Sequence, residues 1–219
     1  MQLDLNNYRV ATLGDSHAKI PLENFINPKI NINHIGPYTM YRAGRDCIDF
    51  RRWVNPDNTD YLIVSFGEID IRCHINQQTL KGRNLQEIVN TLVINYINML
   101  KYNQIFYKNP IIILMPPPAS KKVEPENKEF PYNGSDKERS LYHSLLRNTI
   151  YKIANNTFLI LDCTDEHVDS NGLLCDMYSY DNCHIHKPKW LSIKLKNLII
   201  DYEILKGETY EESINNRNW

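Results

Sequence analysis

No stretch of the sequence approaches the ~18–20 consecutive apolar residues that a membrane-spanning helix needs. The start, MQLDLNNY, also lacks the basic and then apolar run of a secretory leader, so the sequence reads as cytoplasmic. Charge of one sign is missing too: 25 Lys and Arg stand against 26 Asp and Glu, a formal net charge of −1. With no basic field and no basic stripe interleaved with aromatics, nucleic acid is not an expected partner. The five cysteines, Cys47, Cys73, Cys163, Cys175 and Cys183, are odd in number and scattered, which argues against a disulfide framework. CxxC and HxxxH pairs are absent. Cys175, Cys183, His184 and His186 therefore lack the paired spacing of a zinc site, and neither a metal nor another cofactor is expected. Neither GxxxxGK[ST] nor GxGxxG occurs, which disfavours nucleotide binding. No internal repeat is visible, and nothing in the sequence specifies an oligomeric state.

What is present is an ordinary globular balance, 42% hydrophobic and 23% charged, in 219 residues, a length that fits one domain over 1–219. Short, nearly continuous apolar runs recur along it: Tyr8–Leu13, Ile30–Ile35, Tyr61–Phe66, Ile111–Met115 and Phe158–Leu161. Each ends on a turn residue, as the buried strands of a parallel sheet do. Between the third and fourth runs, Leu85, Ile88, Val89, Leu92, Val93, Tyr96, Ile97 and Leu100 recur at helical spacing. Two further helical stretches begin at Ser135–Asp136 and at Lys189. Strands alternating with helices predict a flavodoxin-like three-layer α/β/α sandwich with a five-stranded parallel sheet in the order 2-1-3-4-5. Residues 116–135, rich in Pro, Lys, Glu and Asn, read as a long loop at a strand's carboxyl end, where such folds bind ligands.

The first strand runs into Gly14-Asp15-Ser16-His17. A serine at that point begins the next helix, beside backbone N–H groups able to meet an oxyanion. The same residues also suit a plain helix cap. Asp181-Asn182-Cys183-His184, ahead of the last helix, separates the two readings. A nucleophilic serine needs a base, and the base needs a carboxylate on its other ring nitrogen; an Asp three residues before a His can supply it.

GDS after the first strand paired with DxxH before the last helix resembles the SGNH, or GDSL-type, hydrolases. The resemblance implies Ser16 as nucleophile, His184 as general base and acid, and Asp181 as its orienter. It also implies an oxyanion-binding glycine after the second strand. Two compete: Gly36 in HIGPYT, and Gly44 in RAGRD, which is similar to a block of carbohydrate acetylesterases and is preferred. The family's third block, Gly-x-Asn-Asp, corresponds to Gly67-Glu68-Ile69-Asp70, where Ile69 cannot replace the Asn as a hydrogen-bond donor. Arg72 and His74 are the candidate substitutes, with ion pairing of Glu68 and Asp70 to Arg72 or Arg45 as the alternative. The implied activity is a serine esterase acting on a small-molecule or carbohydrate ester, with an O-acetyl sugar as the expected substrate and Phe130 and Tyr132 offered by the long loop. A sugar O-acetyltransferase with the same triad, or a carbohydrate-binding or assembly protein that keeps the fold without the activity, are the alternatives.

Overall fold

Val10–Gly14, Ile30–His34, Tyr61–Ser65, Ile112–Leu114 and Leu159–Leu161 form β1 to β5 of one sheet. The computed structural model describes residues 7–22, 29–122, 129–154, 157–179, 181, 183–186 and 189–215. All strand pairs are parallel and the order is β2-β1-β3-β4-β5, as the spacing of the apolar runs predicts. Gly14 lies opposite both His34 and Ser65, so the carboxyl ends of the first three strands share one edge of the sheet.

Alternation along the strands divides the core in two. Ala11, Leu13, Leu62, Val64 and Ile113 face one layer, built from α1 (Met40–Asp46), α3 (Leu85–Gln104) and α4 (Asp136–Ala154). Val10, Tyr61, Ile63, Ile112 and Leu114 face the other, where Leu191, Leu195 and Ile199 of α6 (Lys189–Asn215) cover them. Each fully buried Leu or Ile contributes about 1.5–3 kcal/mol. α3 begins at a side-chain cap, Asn84 accepting from the Glu87 amide. α4 begins at a reciprocal Ser135–Glu138 capping box. Among the described residues, no helix is long and apolar enough to cross a membrane.

The structure differs from the sequence reading chiefly in its short elements. α1, α2 (Ile75–Thr79) and α5 (Thr164–His167) join the three expected helices, and α6 continues to Asn215. A π-helical turn, Asp70–His74, leads into α2. The long loop follows β4, and its residues 123–128 lie outside the described ones.

Candidate active site

β1 and β3 come so close at Gly14 that a Cβ there would lie 1.9 Å from the Ser65 carbonyl oxygen. Only glycine lets the strand turn at this point, at φ +155°. The Asp15 amide then donates to the Ser65 carbonyl (3.1 Å), and the Asp15 carboxylate accepts from the His17 amide (2.9 Å). The turn delivers Ser16, half-buried, at the start of a 3-10 helical segment, Ser16–Leu22.

The loop before α6 meets it. His184 Nε2 stands 2.7 Å from Ser16 Oγ, and His184 Nδ1 stands 2.6 Å from Asp181 Oδ2. A carboxylate can only accept, so Nδ1 carries the proton and Nε2 is left to accept from the serine hydroxyl. The Asp181 carboxylate is itself held by its own loop, accepting from the amides of His184 (2.8 Å) and Cys183 (3.0 Å) and from the Ser179 hydroxyl (3.2 Å). Burial works against the Asp181 charge, but the bonds from the His184 amide and ring and the Cys183 amide outweigh it. They keep the carboxyl well below the usual range, ionised throughout the neutral region. Ser16, His184 and Asp181 thus form a chain of hydrogen bonds across 168 positions of sequence.

No protein-family model matches the sequence, and no curated protein is similar to it. Solved structures are similar in shape. A GDSL-like lipase from Bacteroides thetaiotaomicron has a TM-score of 0.61 at 16% identity, over 92% of this chain and 92% of that one. The fold is that of the GDSL-type hydrolases. An aryl esterase from M. smegmatis (TM-score 0.53, 11% identity, 89% and 99% covered) shares it. So does a catalytic mutant of an acetylxylan esterase from Geobacillus stearothermophilus (TM-score 0.52, 12% identity, 88% and 94% covered).

Against the GDSL pattern, the two candidate oxyanion glycines part company. Gly36 directly follows β2 at φ +89°, on the edge that carries Ser16, with open space where a Cβ would be. Gly44, the preferred candidate, lies inside α1. Its amide is committed to that helix, and its missing Cβ lets α1 pack on α3, since a Cβ there would lie 2.8 Å from the Asn95–Tyr96 backbone. RAGRD is a helix-packing sequence here.

The third block is built for structure. Ile69 is buried. Asp70, fully buried, accepts from the amides of Met40 (2.6 Å) and Tyr41 (3.2 Å) and so caps α1; burial pushes its carboxyl up to about 7 against the pull of those two bonds. Neither Arg45 nor Arg72 pairs with it. Arg45 pairs with Asp46. Arg72 donates to Glu68 (3.1 Å) and to the Phe130 carbonyl (3.0 Å), the structural alternative rather than the oxyanion role. Gly67 turns the chain after β3 at φ +122°, against Pro116 and Met40. His74 lines a cavity of about 330 Å³ together with Tyr41, Arg45, Asp70, Gln78 and Arg83, which includes neither Ser16 nor His184. Tyr132 is buried, with the guanidinium groups of Arg72 and Arg139 5.2 and 5.4 Å from its ring centre, so it ties the long loop to the π-helical turn and to α4.

Two residues that sequence reading passed over stand beside the triad. His17 lies beneath the His184 ring, 4.8 Å between centres and 23° from parallel. His34, at the end of β2, is close enough for the His184 charge to oppose its own; burial first, then Lys19 and His184, lower its pKa. The register that aligns β1 with β2 places His34 opposite Gly14. His17, Cys183 and His184 bring potential metal-ligating atoms within 4.8 Å of one another. However, the two rings are stacked, so their nitrogens do not converge on a common point, and His17 Nε2 is spent on the Cys183 carbonyl.

Proposed function

We propose that this protein is a serine esterase of the GDSL type, with Ser16 as nucleophile, His184 as general base and acid, and Asp181 holding the ring. The observation that carries the reading is the hydrogen-bond chain of 2.7 Å from Ser16 to His184 and 2.6 Å from His184 to Asp181. Nε2 takes the hydroxyl proton as Oγ attacks the ester carbonyl carbon, and then returns it to the departing alcohol. Water, deprotonated by the same nitrogen, adds to the acyl-enzyme and releases the acid and free Ser16. Asp181 stabilises the imidazolium that forms in each half. The amides of Ser16 and Gly36, at the sheet's carboxyl edge, are the proposed donors to the oxyanion.

The substrate class to try first is an O-acetyl ester on a carbohydrate. Its support is the acetylxylan esterase among the proteins sharing the fold; RAGRD and Tyr132 no longer speak for it. Hydrolysis of an aryl acetate tests the reaction itself. The wild type should turn it over, and Ser16→Ala and His184→Ala should each reduce the rate to near background. A sugar hydroxyl in place of water as acceptor would make the same triad a transferase, read as acetyl transfer to added oligosaccharide outrunning hydrolysis. Ile69 favours one further reading, a binding protein that keeps the fold, because an oxyanion donor lost from such a site typically costs ~10²–10³ in rate. A wild type as inert as its variants, yet binding sugar unaffected by Ser16→Ala, would establish that reading.

A further inference from the structure

His17 is buried at 3% exposure, between Asp15 and the loop that carries His184. Its Nε2 lies 3.1 Å from the carbonyl oxygen of Cys183, the residue between Asp181 and His184 in the described loop. Its Nδ1 lies 3.3 Å from Oδ1 of Asp15, itself buried. The Cys183 carbonyl can only accept, so Nε2 carries a proton; Nδ1 makes no hydrogen bond, but the carboxylate oxygen 3.3 Å from it favours a proton there as well. The ring that meets those terms is the imidazolium, and it lies parallel beneath His184.

We propose that Asp15 and His17 form a second histidine–carboxylate pair that clamps the base-bearing loop through the Cys183 carbonyl and sets a fixed positive charge under the His184 ring. The proposal rests on the esterase reading for its catalytic meaning, but not for its physical test. His17 is a positioning residue. It touches neither the Ser16 hydroxyl nor the ester, and acts on the base through the loop and through the charge. Burial alone would strip the proton from His17; the Asp15 carboxylate and the Cys183 side chain oppose this and raise the ring's pKa well above the ordinary histidine value. A cation stacked 4.8 Å from His184 opposes a second proton on that ring, which keeps Nε2 free to accept from Ser16. The other titratable groups around His184 are Asp181, Cys183 and His186 from its own loop, Asp15 bonded to the His17 amide, and His34 from β2.

Three measurements decide it. In ¹⁵N-histidine-labelled wild type at pH 8, both ring nitrogens of His17 should give the protonated signature; a neutral tautomer there overturns the proposal without any variant. In His17→Gln, which can still donate to the Cys183 carbonyl but carries no charge, the pH midpoint of the His184 ring resonances should rise by about one unit. The acid limb of kcat/KM for aryl acetate hydrolysis should rise with it. A rate lowered equally at every pH, with the His184 midpoint unmoved, would mean that His17 only packs. His17→Phe keeps the stack and loses both charge and tether; it should show the same shift plus a lower kcat. If wild type fails to hydrolyse aryl acetate, the esterase reading fails, while the two resonance experiments still decide for or against the buried cation.

Discussion

Gly14 and Asp181 place demands on the site that their neighbours do not. At Gly14 any side chain meets the Ser65 carbonyl at 1.9 Å, and that carbonyl belongs to a strand that cannot move without opening the sheet. Gly14→Ala should therefore abolish folding or lower Tm by many degrees, and in any soluble fraction it should displace Ser16 and lose hydrolysis; circular dichroism melts and the aryl acetate assay read the two effects. Asp181→Asn tests a different point. The amide keeps an acceptor for the loop's N–H groups but not the charge that orients the His184 ring and stabilises its protonated form. On the esterase reading we expect Tm within a few degrees of wild type and a rate reduced by roughly 10⁴, the loss that follows Asp→Asn at the orienting carboxylate of a serine protease triad. A rate within a few-fold of wild type would show that the loop orients the ring without Asp181.

Among the elements, α1 shows why part of the site was hidden in the sequence. Its Thr39 cap is ordinary, but its other N-terminal acceptor is a carboxylate 30 residues further along, across the sheet edge in the π-helical turn. No local pattern announces a cap supplied from that distance, and RAGRD matched an enzyme block well enough to claim Gly44. The long amphipathic helices α3 and α4 were legible because their apolar spacing and their caps are local. The Asp70 cap also makes a prediction about pH. Folded, the carboxyl keeps its proton up to about pH 7; unfolded, it loses it near pH 4. Between those values the folded state holds the extra proton, so the stability Asp70 contributes is full below about pH 4 and declines as pH rises through 7. Asp70→Asn has no such dependence. Its Tm, measured against wild type across pH 4 to 8, should gain steadily; a constant difference would show that Asp70 is ionised throughout. Asp70→Ala loses both acceptors and should cost about 0.5–2 kcal/mol below about pH 4, and less as the pH rises through 7.

For the molecule as a whole, the five-strand order followed from short apolar runs ending in turn residues, because a sheet covered on both faces leaves few other sequences possible. The meeting of Ser16, His184 and Asp181 was legible for a related reason: the fold brings the end of β1 and the loop before α6 to one edge. The stacked His17 was not legible, since a histidine after GDS can face any direction until β1, β2 and the late loop are placed together. The two layers also contribute unequally to the site. α6 is the main cover of one face, through Leu191, Leu195 and Ile199 beside Leu174 and Ile185, and is tied down by Lys194 to the Asp162 carbonyl and by Glu203 to the Tyr61 hydroxyl. Leu195→Ala should cost ~2–5 kcal/mol in urea unfolding. Since the loop bearing His184 runs directly into α6, hydrolysis should disappear at lower urea than the circular dichroism of the sheet; coincident transitions would mean that the helix and sheet part together.

The 168 positions between Ser16 and His184 also have a consequence in time. A ribosome delivers the serine 168 residues before the histidine. For as long as that stretch is being made, the nascent protein holds a serine that is chemically ordinary. On the esterase reading, arrival of the His184 loop switches the hydroxyl on, so that catalytic competence itself reports that the two distant parts of the site have met.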